Sequence, residues 1–133
     1  MLRLAFCLSD WLEPQETLLQ MTDWPIFNDL EMDTFMQWRA RHGLHAYIIN
    51  APGHLFSSGA DRTARAELIM WLFTLNWEGY IFTASNEAFV WLADEIVEVT
   101  ATTRRRADEL DDLLAANDLE AEFWPTFPES GQA

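Results

Sequence analysis

Three histidines, His42, His45 and His54, and the tripeptide Ser57-Ser58-Gly59 are the residues of this chain that most invite a chemical reading. Set on the two strands of a hairpin, His45 and His54 could face each other, and His42 or Asp61 would then complete a set of metal ligands. A zinc site usually announces itself by His-x-x-x-His on a helix or by cysteine partners, and neither is present. Polar histidines at strand ends are the better reading. Ser57-Ser58-Gly59 follows a strand and precedes a helix, where a nucleophile or a phosphate could sit. A hydrolase turn would want Gly-x-Ser-x-Gly, and a phosphate loop would want more glycines and a lysine. The chain has no lysine at all, so the segment reads as a loop and N-cap. Cys7 lies in an apolar run with no base nearby to lower its pKa and reads as an inert buried thiol. Carboxylates are too abundant to be diagnostic, because 22 acids in 133 residues must have neighbours somewhere. None is marked as the buried acid that general acid catalysis needs. The expectation is no catalytic residue, no metal and no cofactor.

Charge is the more informative signal. The formal charge is −14, and it is concentrated at the two ends. Residues 1–33 carry seven acids and one Arg, residues 34–103 seven acids and four Arg, and residues 107–133 eight acids with no base. Between the last two blocks stands Arg104-Arg105-Arg106. Pairs Arg104–Asp108 and Arg105–Glu109 at i,i+4 assign this triplet to local charge balance. Asp108, Asp111 and Asp112 share a helix face opposite Leu110 and Leu114 by the 3.6-residue period. A surface selected only for solubility mixes signs, and this one does not. So acidic a chain is a poor ligand for free nucleic acid.

The elements that position these residues follow from pattern. Half the chain is hydrophobic and 14% aromatic, with seven Trp, which excludes a disordered chain and fits one domain. The expected fold class is α+β, with a single domain over residues 1–127 and a frayed tail at 128–133. Residues 2–8 are either a short strand or the lead-in to a helix. Ser9 or Asp10 caps a helix to about Thr22, with Leu12, Leu18, Leu19 and Met21 inward. A second helix runs from Asn28 or Asp29 to Gly43. His45–Asn50 and His54–Ser57 form a hairpin around Ala51-Pro52-Gly53. Asp61 caps a helix from Arg62 to about Asn76. Over residues 79–103 the β-branched alternation of Val97, Val99 and Ala101 with Glu98, Thr100 and Thr102 favours three strands, at 80–84, 88–92 and 96–102, over one long helix. The hairpin at 45–57 and the meander at 79–103 make a five-stranded antiparallel sheet with helices packed on one face. A last helix spans about Arg104 to Ala116.

The order strand, Ser57-Ser58-Gly59, helix over about residues 46–76 resembles the phosphoacceptor segment of STAS-type anti-sigma antagonists, but Phe56 stands where that family carries Asp. In size, charge and architecture the chain resembles small bacterial immunity proteins and phage-encoded inhibitors of nucleic-acid-binding machinery. That resemblance implies a non-enzymatic protein that docks on a basic protein partner (a toxin, a nuclease or a nucleic-acid-binding complex), partly by mimicking nucleic acid. The expected contact residues are Asp108, Asp111, Asp112, Glu120 and Glu122, with Trp124 as an apolar anchor flanked by Phe123 and Phe127. The alternative is a small enzyme or ligand-binding domain built on the edge formed by His45, His54 and Ser57. The apolar runs at 1–8 and 68–75 are far shorter than the roughly 20 residues of a membrane span. A lone cysteine fits a reducing compartment, so the expected location is the cytoplasm. Basic residues that are all arginine fit a bacterial or phage origin.

Overall fold

The computed structural model describes residues 2–12, 15–25, 29–57, 61–93 and 96–121. Its elements, in chain order, are α1 (Leu2–Leu12), β1 (Thr17–Asp23), α2 (Asp29–Arg41), β2 (Gly53–Phe56), α3 (Arg62–Leu75), β3 (Glu78–Thr83), β4 (Ala88–Ala93), β5 (Ile96–Ala101) and α4 (Arg104–Ala116). The five strands form one antiparallel sheet in the order β2-β1-β3-β4-β5. The helices pack against it, giving an α+β domain.

Two local expectations are corrected. The first helix spans Leu2–Leu12, with Ser9 and Asp10 inside it rather than capping a helix that reaches Thr22, and Thr17–Asp23 is a strand between β2 and β3. Thr17, Leu19 and Met21 are buried in strict alternation, while Leu18 and Thr22 are exposed. The other correction concerns the hairpin at 45–57. Residues 45–50 are not a strand; Asn50 and Ala51 both donate backbone N–H bonds to the Tyr47 carbonyl in a turn. β2 pairs instead with β1, with Thr17 opposite Phe56 and Leu19 opposite His54. The fifth strand of the expected sheet therefore comes from residues 17–23. The meander of β3, β4 and β5 falls where the β-branched pattern puts it, turning at Ala84–Glu87 with Asn86 at φ 59°.

The sheet face beneath the helices is built from Leu19, Met21, Phe56, Ile81, Val90 and Leu92, all buried. Gly79 lies on this face because nothing larger fits: a Cβ there would meet Leu72 Cδ2 at 2.8 Å and the Gln20 carbonyl at 3.1 Å. α1 contributes Ala5, Leu8, Trp11 and Leu12, and α3 contributes Leu68, Ile69 and Leu72. α2 joins through an aromatic group centred on Phe35, whose ring centroid is 4.8 Å from that of Trp77 and 5.6 Å from that of Trp71. The indole N–H of Trp77 donates to the Pro25 carbonyl at 2.9 Å, giving a buried polar group its partner. At the end of α3, Asn76 takes the left-handed conformation and the Trp77 N–H returns to the Leu72 carbonyl, a Schellman-type stop.

Three arginines replace apolar residues in this interior. Arg39, Arg65 and Arg106 are 0%, 0% and 4% exposed. Arg65 on α3 donates from Nε to Ser9 Oγ at 3.1 Å, and from its terminal nitrogens to the Ser9 carbonyl at 3.1 Å and Thr17 Oγ1 at 3.4 Å, tying α3 to α1 and β1. Arg39 at the end of α2 donates to the carbonyls of Ala46 and Ala51, which holds the loop between α2 and β2. A planar guanidinium with five donors can serve several carbonyls at once, which an ammonium cannot do in one geometry.

The opposite sheet face carries polar residues, Gln20, Glu98 and Thr100 among them, beside a large apolar set. Leu18, Leu55, Tyr80, Phe82, Phe89 and Trp91 occupy its outward positions, with Leu18 opposite both Leu55 and Phe82, Phe82 opposite Phe89, and Tyr80 opposite Trp91.

Candidate functional site

The acidic block expected at the C-terminal end is organised by α4. Thr103, with extended backbone, caps the helix by accepting from the Arg106 N–H at 3.2 Å. The next turn then places Ala107, Leu110 and Leu114 inward against α1 and the core. Their burial fixes where the acids go. Asp108 and Asp112 are exposed one turn apart, and Asp111 is half-buried and engaged with a neighbouring group. Glu120 is exposed beyond the helix. Glu122 and Trp124, with Phe123 and Phe127, lie outside the described residues.

The arginine triplet does not neutralise this surface. Arg105 pairs with Glu109 at 2.8 Å, the expected i,i+4 contact, and Arg106 reaches the other oxygen of Glu109 at 2.5 Å. Glu109 thus takes up Arg105 and Arg106, the latter also 3.9 Å from Glu87, whereas the expected Arg104–Asp108 pair is not formed and Asp108 and Asp112 have no ion pair among the described residues. Arg106 corrects the reading of a purely surface triplet. Its terminal nitrogen donates to the Trp11 carbonyl at 2.6 Å, its guanidinium lies 4.9 Å from the centre of the Trp11 ring, and the Trp11 indole N–H donates back to the Arg106 carbonyl at 2.8 Å. The joint between α1 and α4 rests on this reciprocal pair.

Beside the joint, a cavity of about 330 Å³ is lined by Asp10, Trp11, Arg106, Glu109, Asp112 and Leu113. Asp10 is bound to Arg62 and Glu109 to Arg105 and Arg106, which leaves Asp112 as the lining carboxylate open to an incoming cation. The structure thus brings Asp108 and Asp112 onto one exposed helix face, with Asp112 at the rim of an opening that periodicity alone did not reveal.

The histidine edge is not assembled. His54 is buried on the helix-covered face of β2, with its ring 4.4 Å from that of Phe56 and 6.0 Å from that of Trp38. His45 and Ser57 are exposed, and the His42 ring lies 4.5 Å from that of Trp38, tilted by 46° to it. Without a strand at 45–50 there is no hairpin across which His45 and His54 could meet. Among the described residues no group of three or more His, Cys, Asp or Glu is placed to hold a metal ion. Cys7 is buried, and its thiol donates to the Leu113 carbonyl at 3.6 Å. Burial, and secondarily the charge of Asp10, raise its pKa, so the thiolate is disfavoured.

The environment of His54 has a consequence for stability. Burial above all, then the positive charges of Arg39 and His42, lower its pKa, with Asp61 acting weakly the other way. The native state therefore holds His54 neutral where an unfolded chain protonates it. This contribution to stability is complete above the ordinary histidine pKa of about 6.5 and is lost as pH falls below it toward the depressed native value. Urea denaturation at pH 7.5 and pH 5.5 should show lower stability at pH 5.5. His54→Phe should flatten that difference, and an unchanged slope would show that another group carries it.

No protein-family model matches the chain, and no curated protein or solved structure is significantly similar to it.

Proposed function

We propose that this protein is a non-enzymatic, acidic binding or inhibitor protein that docks on a basic protein partner. The observation that carries the reading is the exposed pair Asp108 and Asp112 on α4, left uncompensated because Glu109 absorbs Arg105 and Arg106. Aligned carboxylates on a rigid helix steer a cationic partner and occupy positions where a nucleic-acid-binding groove expects phosphates. The opening beside Asp112 offers a lysine or arginine side chain of that partner a carboxylate and a carbon-lined wall at Leu113, with the Arg106 guanidinium that also lines it already paired to Glu109. Partners of this kind include a toxin, a nuclease or a nucleic-acid-binding complex, and the setting that fits is a bacterial cytoplasm. Among the described residues no helix is long and apolar enough to cross a membrane.

The test is affinity capture with the full chain and with the double variant Asp108→Lys/Asp112→Lys, from bacterial lysate at low and at high salt. The parent should retain a basic protein at low salt and release much of it at high salt, and the variant should retain little. Equal retention by both would refute the role assigned to α4. Both side chains are exposed, so the variant should unfold within about 0.5 kcal/mol of the parent.

A further inference from the structure

Arg39 is 0% exposed and has no ion pair among the described residues. Its charge rests on the carbonyls of Ala46 and Ala51 and on the Phe35 ring, whose centre is 5.9 Å from the guanidinium carbon. Its Nε meets no hydrogen-bond acceptor. The buried ring of His54 stands close enough to feel that charge, and its Nδ1 is likewise enclosed without a partner. While the imidazole is neutral, Nδ1 can carry the lone pair and needs no acceptor. Protonation puts an N–H there with nothing to receive it, beside a cation that is already unpaired.

The other charged groups around His54 give little relief. Exposed His42, across the Trp38 ring at the end of α2, adds positive charge when it titrates. Asp61 opposes the cations, but one of its oxygens already accepts from the Ser57 N–H at 2.7 Å. On α3, Glu67 accepts from the Trp38 indole at 2.7 Å, and Arg65 is committed to Ser9 and Thr17. β1 brings only Leu19 opposite His54.

We infer that His54 and Arg39 form an acid-released latch on the loop between α2 and β2, which opens when His54 takes up a proton. The cation that repels protonated His54 is also the tie that holds this loop, through the carbonyls of Ala46 and Ala51. Moving the guanidinium away lets both go. Little else secures the segment. Of residues 44–51 Ile48 alone is buried, and the Asn50 and Ala51 bonds to the Tyr47 carbonyl lie within the loop itself. The Met21 N–H on the Pro52 carbonyl, at 2.9 Å, marks where the chain rejoins the sheet. A segment with so few buried contacts opens at lower free energy than the core. Loss of stability in acid is therefore local, at one edge of the sheet, before it is global.

Nuclear magnetic resonance of the full chain labelled with nitrogen-15, titrated from pH 7.5 to pH 5, tests this residue by residue. Amide signals of residues 44–51 should lose most of their native intensity as the His54 ring carbon reports protonation. Those of Ile81 and Val90 in the middle of the sheet should stay native. His54→Gln, which cannot take up the proton, should keep the loop closed at pH 5, and His42→Ala and His45→Ala should each still release it. If His54→Gln fails to fold, His54→Phe, which suits a site between Phe56 and Trp38, serves in its place. A loop that stays closed after His54 has titrated overturns the proposal. So does one that opens equally in the His54 variant, or a loss of all amide signals in one step.

Discussion

Trp11→Ala is expected to lower stability by about 3–5 kcal/mol, the range for removing a buried tryptophan. Trp11 is 1% exposed, and three interactions converge on it: its indole N–H on the Arg106 carbonyl, the Arg106 guanidinium over its ring, and its own carbonyl accepting from Arg106. Alanine keeps only the carbonyl contact and opens a cavity where α1 meets α4. Trp11→Phe separates the contributions. It preserves most of the packing but removes the indole donor and leaves the Arg106 carbonyl with its intrahelical bond alone, a loss of about 0.5–1.5 kcal/mol. Urea denaturation with unchanged m-values reads both. A cost below about 1 kcal/mol for the alanine variant would mean that α4 is held by something other than this joint.

Arg65→Ala is the second large effect, expected at about 3 kcal/mol or more and a fall in Tm of roughly 10 °C. The side chain is fully buried and donates to Ser9 Oγ, the Ser9 carbonyl and Thr17 Oγ1, so its loss unties α3 from both α1 and β1. Arg65→Lys should recover only part of the stability. One ammonium cannot reproduce a fork that addresses three acceptors, and the unreached groups would remain buried without partners. Thermal denaturation of the two variants beside the parent checks the ranking. Lysine equal to arginine would show that charge alone matters at this site.

These arginines show where sequence reading was weakest. Arg65 stands three, four and seven residues before Leu68, Ile69 and Leu72, which is an inward position on α3 by simple periodicity, yet its charge argues for the surface. Only the neighbouring elements, brought together by the fold, supply the carbonyl and hydroxyl acceptors that make burial tolerable. Arg106, four residues before Leu110, repeats the case. The misread β1 has a different cause. Leu18, Leu19 and Met21 satisfy a helical stripe, but Pro14 in the sequence argues against a helix running through it, and the strand hides its alternation because Leu18 on the open face is itself apolar. The same double-sidedness in Tyr80, Phe82, Phe89 and Trp91 concealed the apolar outer face, although the strands themselves were legible from β-branched residues and turn signals at Ser85-Asn86. The acidic face of α4 was readable because it needs only local period and charge. Its opening beside Trp11 was not, since that depends on a contact across 95 residues of chain.

The acidic helix α4 carries the functional claim. Association kinetics with the captured basic partner, at low and high salt, test that claim most directly. Asp108→Lys/Asp112→Lys should slow association about tenfold or more at low salt, and the gap should narrow at high salt, because exposed charges are screened beyond about 8 Å at physiological ionic strength. A variant that associates as fast as the parent at low salt would contradict the account, leaving the acidity of α4 as a property of solubility alone.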